Sequence, residues 1–418
     1  MKINSNILYF FLGLFLQPAL FSCNQKPKQI PELEKMEIDW VNTIQNEGMH
    51  SEEPFLYTSQ EGKTFLSWIE KDGKKNRFKL SIFEGQNWSV PSIIAEGEDW
   101  FVNWADYPQI SAFEDGTLMG FFLKKSGPGT FAYDIMVTLS KDGVNWSTPF
   151  VLHDDQTQTE HGFVSMTPWG SNMLISWLDG RNTGGDHHSH DHGHHGQMSL
   201  RAAILDSDGK KLNEWLLDQR VCDCCQTTSA MTQDGPLVIF RDRSENENRD
   251  LGVVRWENGA WSNTMPVFMD FWEIAACPVN GPRVSTLGNT VAVAWYTAAK
   301  GNPEVKVAFS YNNGESFDLP TRIDLGKTIG RVDVVLLDEE NALVSWMEEG
   351  KIMLRKVDRK GRHGDPITVA VSSEKRSSGF PQISRNNEVI WIAWTDDSTE
   401  YKSVQLAKIE FGSLLKSP

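Results

Sequence analysis

Short runs of alternating apolar and polar residues recur along most of the chain, and each run ends in turn-forming residues. The clearest is VKVAFSYNNGESF at residues 305–317, in which an alternating segment meets Asn-Asn-Gly and closes on an aromatic residue. Alternation with a period of two predicts a half-buried β-strand, and Asn-Gly sequences tolerate the positive φ of tight turns. The pattern recurs at residues 138–146 and, more weakly, at 82–88 and 256–261. Such recurrence predicts a repeat protein.

Seven repeating units can be marked in the sequence. They open near Pro54, Tyr107, Phe163, Cys224, Pro282, Val332 and Phe380. Each continues with a second strand such as TVAVAWYT and a third such as VKVAFS, and most have a fourth. The last unit runs out of chain, so a strand near residues 36–40 is expected to complete it. Four strands per unit predict an all-β fold, a β-propeller of seven blades, or six if one unit belongs to another blade.

Composition and charge exclude some classes of partner. The chain carries 56 acidic and 40 basic side chains, a formal net charge of −16, and its 16 tryptophans favour β structure. An acidic protein of this kind is a poor match for nucleic acid or for anionic lipid. We therefore expect no nucleic-acid partner and a monomer.

The first residues have the features of an export signal. Lys2 precedes a short apolar run, too short and too early for a membrane span, which ends in Leu-Phe-Ser-Cys at Cys23. This ending resembles a bacterial lipobox, which implies lipidation of Cys23; an ordinary signal cleaved nearby is the alternative. We expect a lipoprotein signal peptide at residues 1–22, a polar tether at 23–35 and the propeller domain at 36–418. The resemblance implies a location in the bacterial cell envelope, with the membrane contacted through the lipid anchor only.

Two turns carry a family resemblance. SYNNGESF at residues 310–317 resembles the Asp-box of the sialidase superfamily, S-x-D-x-G-x-[ST]-[WF], and SKDGVNW at 140–146 resembles a shortened copy. The resemblance covers the repeats from about residue 50 to the end. It implies a propeller that is an exo-acting glycoside hydrolase of the exo-α-sialidase type, or a binder of acidic glycans. Sialidases usually have six blades and an Arg-Ile-Pro motif, where this chain has Glu-Pro-Phe at 53–55.

Propeller topology gathers the loops that lead into first strands and the loops that leave second strands on one face, called here the top face. Sialidases hold the sialate carboxylate with three arginines and use a tyrosine nucleophile, a glutamate partner and an aspartate acid. By position, the resemblance assigns the arginine clamp to Arg241, Arg283 and Arg331. It assigns the retaining hydrolysis, which needs no cofactor, to Tyr296 with Glu273 and Asp106. Alternatively, the arginines form ion pairs with Asp242, Asp250 and Asp333 and hold loops.

A histidine-rich loop suggests metal chemistry on the same face. The sequence GGDHHSHDHGHHG at residues 184–196 contains six histidines: His187, His188, His190, His192, His194 and His195. Imidazoles at this density bind divalent transition metals. Topology places the loop beside Cys222, Cys224 and Cys225, and the two ligand types together predict a zinc or copper site. A loop that takes up metal without consequence is the alternative.

The four cysteines that follow Cys23 have more than one interpretation. In an exported protein, Cys222, Cys224, Cys225 and Cys277 favour two disulfides of undetermined pairing. Metal ligation is the second interpretation and catalytic thiol chemistry the third. The alternative hypothesis for function is thus a non-catalytic propeller lipoprotein that binds a transition metal or a protein partner through its Cys/His-rich face.

Overall fold

The computed structural model describes residues 39–44, 49–184 and 196–412, and the backbone alone for residues 39–44. These residues form 29 strands in seven antiparallel sheets and two 3-10 turns, at Ala299–Gly301 and Arg376–Ser378. The first strands of successive sheets contact one another in a closed ring. The fold is therefore a seven-bladed β-propeller, as the repeats predicted, and the six-bladed alternative is wrong.

The blades follow one another in chain order. The first three contain β2 (His50–Thr58), β3 (Thr64–Asp72), β4 (Lys75–Phe83) and β5 (Ser92–Gly97); β6 (Gln109–Ala112), β7 (Leu118–Lys125), β8 (Tyr133–Ser140) and β9 (Phe150–Val151); and β10 (His161–Trp169), β11 (Asn172–Asp179), β12 (Ser199–Leu205) and β13 (Lys211–Asp218). The fourth and fifth contain β14 (Thr228–Met231), β15 (Pro236–Arg241), β16 (Leu251–Glu257), β17 (Ala260–Trp261) and β18 (Met265–Phe268); and β19 (Arg283–Leu287), β20 (Thr290–Thr297), β21 (Glu304–Ser310) and β22 (Thr321–Arg322). The last two contain β23 (Thr328–Leu336), β24 (Asn341–Glu348), β25 (Lys351–Asp358) and β26 (Ile367–Val371); and β27 (Gln382–Arg385), β28 (Val389–Asp396) and β29 (Ser403–Glu410).

An N-terminal strand closes the ring. β1 (Asp39–Ile44) pairs antiparallel with β29 and supplies the fourth strand of the seventh blade. The sequence predicted this closure near residues 36–40, a few positions earlier than the strand observed. The predicted signal peptide, the tether up to residue 35 and Cys23 lie outside the described residues and stay predictions. Within the described ranges, no helix has the length and apolarity that a membrane crossing requires.

Buried tryptophans on the second strands hold adjacent blades together. These strands read as nearly continuous apolar runs because both of their faces pack against neighbouring sheets. Each buried indole N–H needs an acceptor, and a carboxylate supplies it in three blades. The pairs, with N···O distances of 2.8, 2.7 and 2.8 Å, are Trp177 with Asp179, Trp295 with Asp270, and Trp346 with Glu348.

The two Asp-box-like turns share one hydrogen-bond pattern. The Ser310 hydroxyl accepts the Gly314 N–H at 3.0 Å, and the Ser140 hydroxyl accepts the Gly143 N–H at 2.9 Å. Gly314 and Gly143 have φ of 79° and 75°, a conformation that glycine adopts without strain. The turns join third strands to fourth strands, so their role is structural, as the sequence indicated.

Bulges on three first strands connect successive blades at the top face. Glu53, Phe163 and Arg331 have φ of 57°, 53° and 55°, and the ladder register shifts at each of them. The freed backbone N–H then donates to a side chain that precedes it around the ring. The acceptors are Thr395 Oγ1 at 3.1 Å, Asp106 Oδ1 at 2.7 Å and Asn280 Oδ1 at 2.7 Å, respectively.

The top end of the central channel is filled by a group of side chains called here the channel cap: Ala105, Tyr107, Phe163, Gln226 and Phe380. The four apolar members belong to one buried cluster that joins several blades. The Gln226 amide donates to the Ala105 carbonyl at 2.6 Å and accepts the Gly281 N–H at 2.9 Å. The cap therefore fixes the loops of four blades against one another.

Substitution of Gly162 would show how tightly the bulge at Phe163 is packed. A methyl group on Gly162 would lie 2.0 Å from Asp106 Oδ2 and 3.0 Å from a ring carbon of Tyr133. We expect Gly162→Ala to lower the free energy of unfolding by about 3 kcal/mol, because the core must move to admit the methyl group. Urea unfolding measures the change. Gly129→Ala, whose methyl meets nothing closer than 3.4 Å, is the control, and an equal effect of both would contradict the packing described.

Candidate functional site

The three predicted clamp arginines do not converge on one point. Arg241 donates to the backbone carbonyls of Arg249, Asn280 and Tyr296 at 2.6–3.2 Å. Arg331 donates to the Ser378 hydroxyl and to three carbonyls of residues 374–379. Because these two guanidiniums are buried and bonded to different loops, they are not free to hold a shared anion.

Arg283 differs from the other two arginines. Its guanidinium lies 5.8 Å from the Tyr107 ring, and its Nη2 is buried without a hydrogen-bond partner. Burial lowers the pKa of Arg283 and the charge of Asp333 opposes this, but no ion pair joins Arg283 to Asp333 among the described residues, so none of the three predicted ion-pair alternatives is present there. Asp242 and Asp250 instead accept backbone N–H groups, from Arg243 in the first case and from Phe271 and Trp272 in the second.

The predicted catalytic residues have separate surroundings. Tyr296 packs edge-on against Trp272, with ring centroids 5.7 Å apart. Glu273 is exposed, and it lines a surface depression with Glu245, Glu247 and Lys300. Asp106 is buried beneath blade 3 and bonded to neither of them. The structure therefore does not bring the three predicted residues together.

Asp106 instead belongs to a buried acid pair that sequence reasoning missed. The Tyr133 hydroxyl lies 2.7 Å from Glu160 Oε1 and 3.1 Å from Asp106 Oδ2. Burial raises the pKa of Asp106 to about 7 and that of Glu160 to about 8. Burial, with the charge of Glu160 second, also raises the pKa of Tyr133 well above its usual value. A phenol that is fully buried and hard to ionise is a poor nucleophile. Tyr133, Asp106 and Glu160 therefore match the catalytic residues of sialidases in residue type alone.

The cysteines form a compact cluster of reactive groups on the top face. Cys222, Cys224 and Cys225 lie in the loop that leads into β14, and their Sγ atoms lie within 4.8 Å of one another. Cys222 Sγ is 4.0 Å from Cys224 Sγ and 3.6 Å from Cys225 Sγ. Cys277 is exposed, and interaction with the Cys224 thiol lowers its pKa. Three clustered thiols thus come from one loop, and Cys277 belongs to the loop that leads into the next blade.

The charge around these thiols favours a thiolate at Cys222. Hydrogen bonds with Cys224 and Cys225 hold the pKa of Cys222 well below its usual value, and the positive charge of Arg249 adds to this effect. Arg249 Nη1 donates to Cys222 Sγ at 3.1 Å. Burial of Cys225 raises the pKa of its thiol, so Cys225 keeps its proton beside the Cys222 thiolate.

Predictions for the cysteines and histidines meet different outcomes. All four described cysteines are free thiols, so the favoured prediction of two disulfides is not met in this structure. The Cys222 sulfur atom lies 3.6 Å from that of Cys225 and 4.0 Å from that of Cys224, whereas an S–S bond is about 2.05 Å long. The six loop histidines lie outside the described residues. Met198, which follows that loop, accepts the Val221 N–H at 3.0 Å, one residue before Cys222. The loop therefore ends next to the thiols, as topology predicted.

Sequence reasoning also missed Arg249 as a partner of Cys222. Arg249 lies 27 positions along the chain and reaches the thiol through an ion-pair network with Glu247, whose Oε2 it contacts at 2.6 Å. Arg243 contacts Glu247 at 2.8 Å and Asp223 at 3.0 Å. The available signal was the repeated Arg-Asp spacing in RDRSENENRD at residues 241–250, which places basic residues at both ends of one top-face loop.

Comparison with known proteins identifies the fold. No protein-family model matches the chain, and no curated protein matches it. A protein of unknown function from Dyadobacter fermentans is 12% identical, with a TM-score of 0.50 over 91% of this chain and 100% of its own. A polysaccharide lyase, Uly1, is 8% identical, with a TM-score of 0.53 over 87% of this chain and 90% of its own. A Hadza microbial sialidase is 12% identical, with a TM-score of 0.48 over 84% and 77%. At such identities the likeness shows the propeller fold alone.

The raised pKa of Asp106 predicts a pH-dependent stability. Its carboxyl binds a proton more tightly in the folded chain, where the pKa is about 7, than in the unfolded chain, where it is near 3.8. The free energy of unfolding should therefore fall as the pH rises from 4 to 7, by on the order of 2–4 kcal/mol from this group. Asp106→Asn should flatten this decline in chemical unfolding at several pH values. Asp208→Asn, on an exposed turn, should leave it unchanged; parallel pH profiles for Asp106→Asn and the parent would refute the assignment.

Proposed function

We propose that this propeller binds a soft transition-metal ion, zinc or copper(I), through Cys222, Cys224 and Cys225 on its top face. Cys277 supplies a fourth thiol at the exposed rim. The protein would do so as a lipoprotein of the bacterial cell envelope, attached through Cys23 as the sequence predicts. The observation that carries the proposal is the spacing of the sulfur atoms.

The sulfur atoms stand at the distances that a common metal ion would impose. A tetrahedral zinc site with Zn–S bonds of 2.3 Å separates its sulfur ligands by about 3.8 Å. Cys222 Sγ stands 3.6 Å from one neighbour and 4.0 Å from the other, on either side of that value. Soft thiolates select zinc, copper(I) or iron–sulfur clusters over hard cations. This spacing favours metal ligation over a thiol pair that is only packed.

The residues around the thiols suit an anionic ligand set. Arg249 donates to Cys222 and is itself held by Glu247, so its position does not depend on the metal. A hydrogen bond to a ligating sulfur is the kind of outer contact that orients ligands and tunes a site. The buried thiols Cys222 and Cys225 exclude water on one side, and Cys277 is open to solvent on the other. Metal can therefore reach the cluster from the top face.

The six histidines between His187 and His195 are proposed as an accessory ligand source. Their loop ends one hydrogen bond from the residue before Cys222, between Met198 and Val221. They would raise the local concentration of metal beside the thiols. Their deletion should therefore slow loading of the thiol site and lower the number of weakly held ions, while the tight site remains.

Cysteine substitution tests the thiol site directly. We expect the purified reduced protein to retain one tightly bound equivalent of zinc or copper(I) against a chromophoric chelator. Cys222→Ser/Cys225→Ser should lose that equivalent, with an affinity at least 100-fold weaker, because two of the four proposed sulfur ligands are gone. Metal content is read by mass spectrometry and affinity by chelator competition.

Two controls make the result decisive. Cys23→Ser removes the one cysteine that the proposal does not assign to the metal site and should leave metal binding unchanged. Thiol titration before and after reduction reports the competing chemistry. An unreduced protein from the cell envelope that shows no reactive thiol and two disulfides by mass spectrometry, or a double variant that binds metal as the parent does, would sink the proposal.

We also propose a second function, the binding of an acidic glycan in the central channel. One observation favours it: Arg283 lines a cavity of about 490 Å³ and has a buried guanidinium nitrogen without a hydrogen-bond partner. Serine and threonine hydroxyls from the first strands line this cavity, among them Ser165, Ser229 and Ser285. Hydroxyls and a forked cation suit a sugar that carries a carboxylate.

Glycan binding is tested with Arg283→Ala. We expect the parent protein to bind sialic acid or glucuronic acid in calorimetry, and the variant to bind at least tenfold more weakly because the carboxylate loses its partner. Arg359→Ala, outside the cavity, is the control. A fluorogenic sialoside examines exo-sialidase activity in the same samples. No saturable binding of acidic or neutral sugars by the parent would exclude the glycan function and leave the thiol site unaffected.

A further inference from the structure

The four thiols of the top face differ in their exposure to solvent. Cys277 is exposed, Cys224 is partly buried, and Cys222 and Cys225 are buried. Cys222 Sγ is close to both other sulfurs of its loop, 4.0 Å from Cys224 Sγ and 3.6 Å from Cys225 Sγ. The three sulfurs therefore form a contact series, called here the thiol row, that runs from Cys224 through Cys222 to Cys225.

The loop that carries Cys277 is anchored beside the thiol row. Before Cys277, the Ile274 N–H donates to the Glu247 carbonyl at 3.0 Å, and the Glu247 side chain holds the arginine that contacts the row. After Cys277, the Gly281 N–H donates to the side chain of Gln226 at 2.9 Å, and Gln226 directly follows the row in the chain. The segment with the exposed thiol is thus fixed to the row on both sides.

Cys224 connects the exposed thiol with the buried ones. Hydrogen bonds with the other three thiols, Cys222 first, raise the pKa of Cys224. Its contact with Cys277 in turn lowers the pKa of Cys277. Because thiols influence each other in this way only at short range, Cys277 has Cys224 as its neighbour on the side of the buried pair.

The buried pair has a backbone geometry that suits a disulfide. Cys222 and Cys225 flank a turn formed by residues 223–224. The first and fourth Cα atoms of a β-turn lie less than about 7 Å apart, and disulfides span Cα separations of about 4.4–6.8 Å. The two sulfurs stand 3.6 Å apart, so an S–S bond of about 2.05 Å needs an approach of about 1.5 Å.

Arg249 is placed to assist exchange at the middle of the row. Its Nη1 donates to Cys222 Sγ at 3.1 Å, and Glu247 holds its Nη2 at 2.6 Å. A sulfur carries negative charge when it attacks a disulfide or leaves one. A guanidinium that is fixed beside Cys222 stabilises this charge at the thiol that contacts both others of the row.

We propose that the four cysteines form a thiol–disulfide relay, which reacts with a small-molecule disulfide of the glutathione type at Cys277 and leaves a disulfide between Cys222 and Cys225. The exposed thiol is the entry point because the buried pair has no direct access to a disulfide in solution. The relay goes beyond metal binding and does not depend on it, since exchange needs only the reduced thiols.

Each step of the relay exchanges one S–S bond for another. Cys277 attacks one sulfur of the incoming disulfide, and the other half leaves as a thiolate. Cys224 attacks the Cys277 sulfur of this mixed disulfide and releases the second half. Cys222 then displaces Cys277 from Cys224, and Cys225 displaces Cys224 from Cys222. In sum, two protein thiols lose two electrons and two protons, and the incoming disulfide becomes two thiols.

Oxidation of the reduced, metal-free protein by one equivalent of glutathione disulfide tests the relay. All samples carry Cys23→Ser, so that the remaining cysteine does not react. Trypsin places Cys277 in one peptide and the thiol row in another, because arginines separate them. A Cys224–Cys277 disulfide therefore joins two peptides, and mass spectrometry of blocked samples follows it with time. We expect this cross-link to appear transiently and the Cys222–Cys225 disulfide to be the end product.

Single serine variants should stop the relay at different points. Cys222→Ser should keep the cross-link between the two peptides, because the next attacking thiol is gone. Cys225→Ser should end at a Cys222–Cys224 disulfide within one peptide. Cys277→Ser should slow the oxidation roughly tenfold or more, because the entry thiol is missing, and should still end at the buried pair.

The parent protein alone can overturn the relay, so the test does not depend on the folding of a variant. A lasting glutathione adduct on Cys277 with no disulfide in the thiol row would refute it, and so would oxidation of Cys277→Ser at the rate of the parent. The proposed metal site fails separately. Reduced protein that exchanges but binds no metal would exclude the metal site alone, and protein that binds metal but does not exchange would exclude the relay alone.

Discussion

Filling the top of the channel is the interaction on which the rest of this structure depends. A ring of seven blades leaves an open centre, and here Tyr107, Phe163 and Phe380 meet across it in one buried cluster. Gln226, which belongs to blade 4, donates a hydrogen bond to the Ala105 carbonyl of blade 2 and accepts one from the Gly281 N–H of blade 5. Because the cap is shared among blades, it packs the loops of those blades against one another next to Asp106, Glu160 and Cys222.

The cap also explains why two of the predicted clamp arginines are unavailable. Loops that run into the centre bury backbone carbonyls, and a buried carbonyl needs a donor. Arg241 and Arg331 supply several N–H groups each, and the carbonyls of Asn280 and Gly379 accept them. Blade position placed both arginines on the top face, as expected. The direction of each side chain depended on unsatisfied carbonyls from other blades, which no local pattern reveals.

The fold was predictable from the sequence because its signals are local. Period-two alternation and turn residues repeat in every blade, and the missing strand of the last unit required an N-terminal partner, which β1 supplies. The candidate site was predictable only in part. Cys222, Cys224 and Cys225 adjoin one another in the chain, whereas Arg249 reaches them across a loop.

The charge around the thiol cluster suits an anionic ligand set. Arg220, Arg243 and Arg249 meet Asp223 and Glu247 in one ion-pair network, which carries one net positive charge. Arg241 acts on Cys222 and contributes one further positive charge. Three thiolates with a dication leave one formal negative charge, and with a monocation they leave two. Since uncompensated buried charge is costly, the two positive charges beside Cys222 allow all three thiols to be ionised around an ion of either charge. Of the three thiols, Cys224 is the one most disposed to keep its proton, because hydrogen bonds with Cys222, Cys225 and Cys277 raise its pKa above that of Cys225.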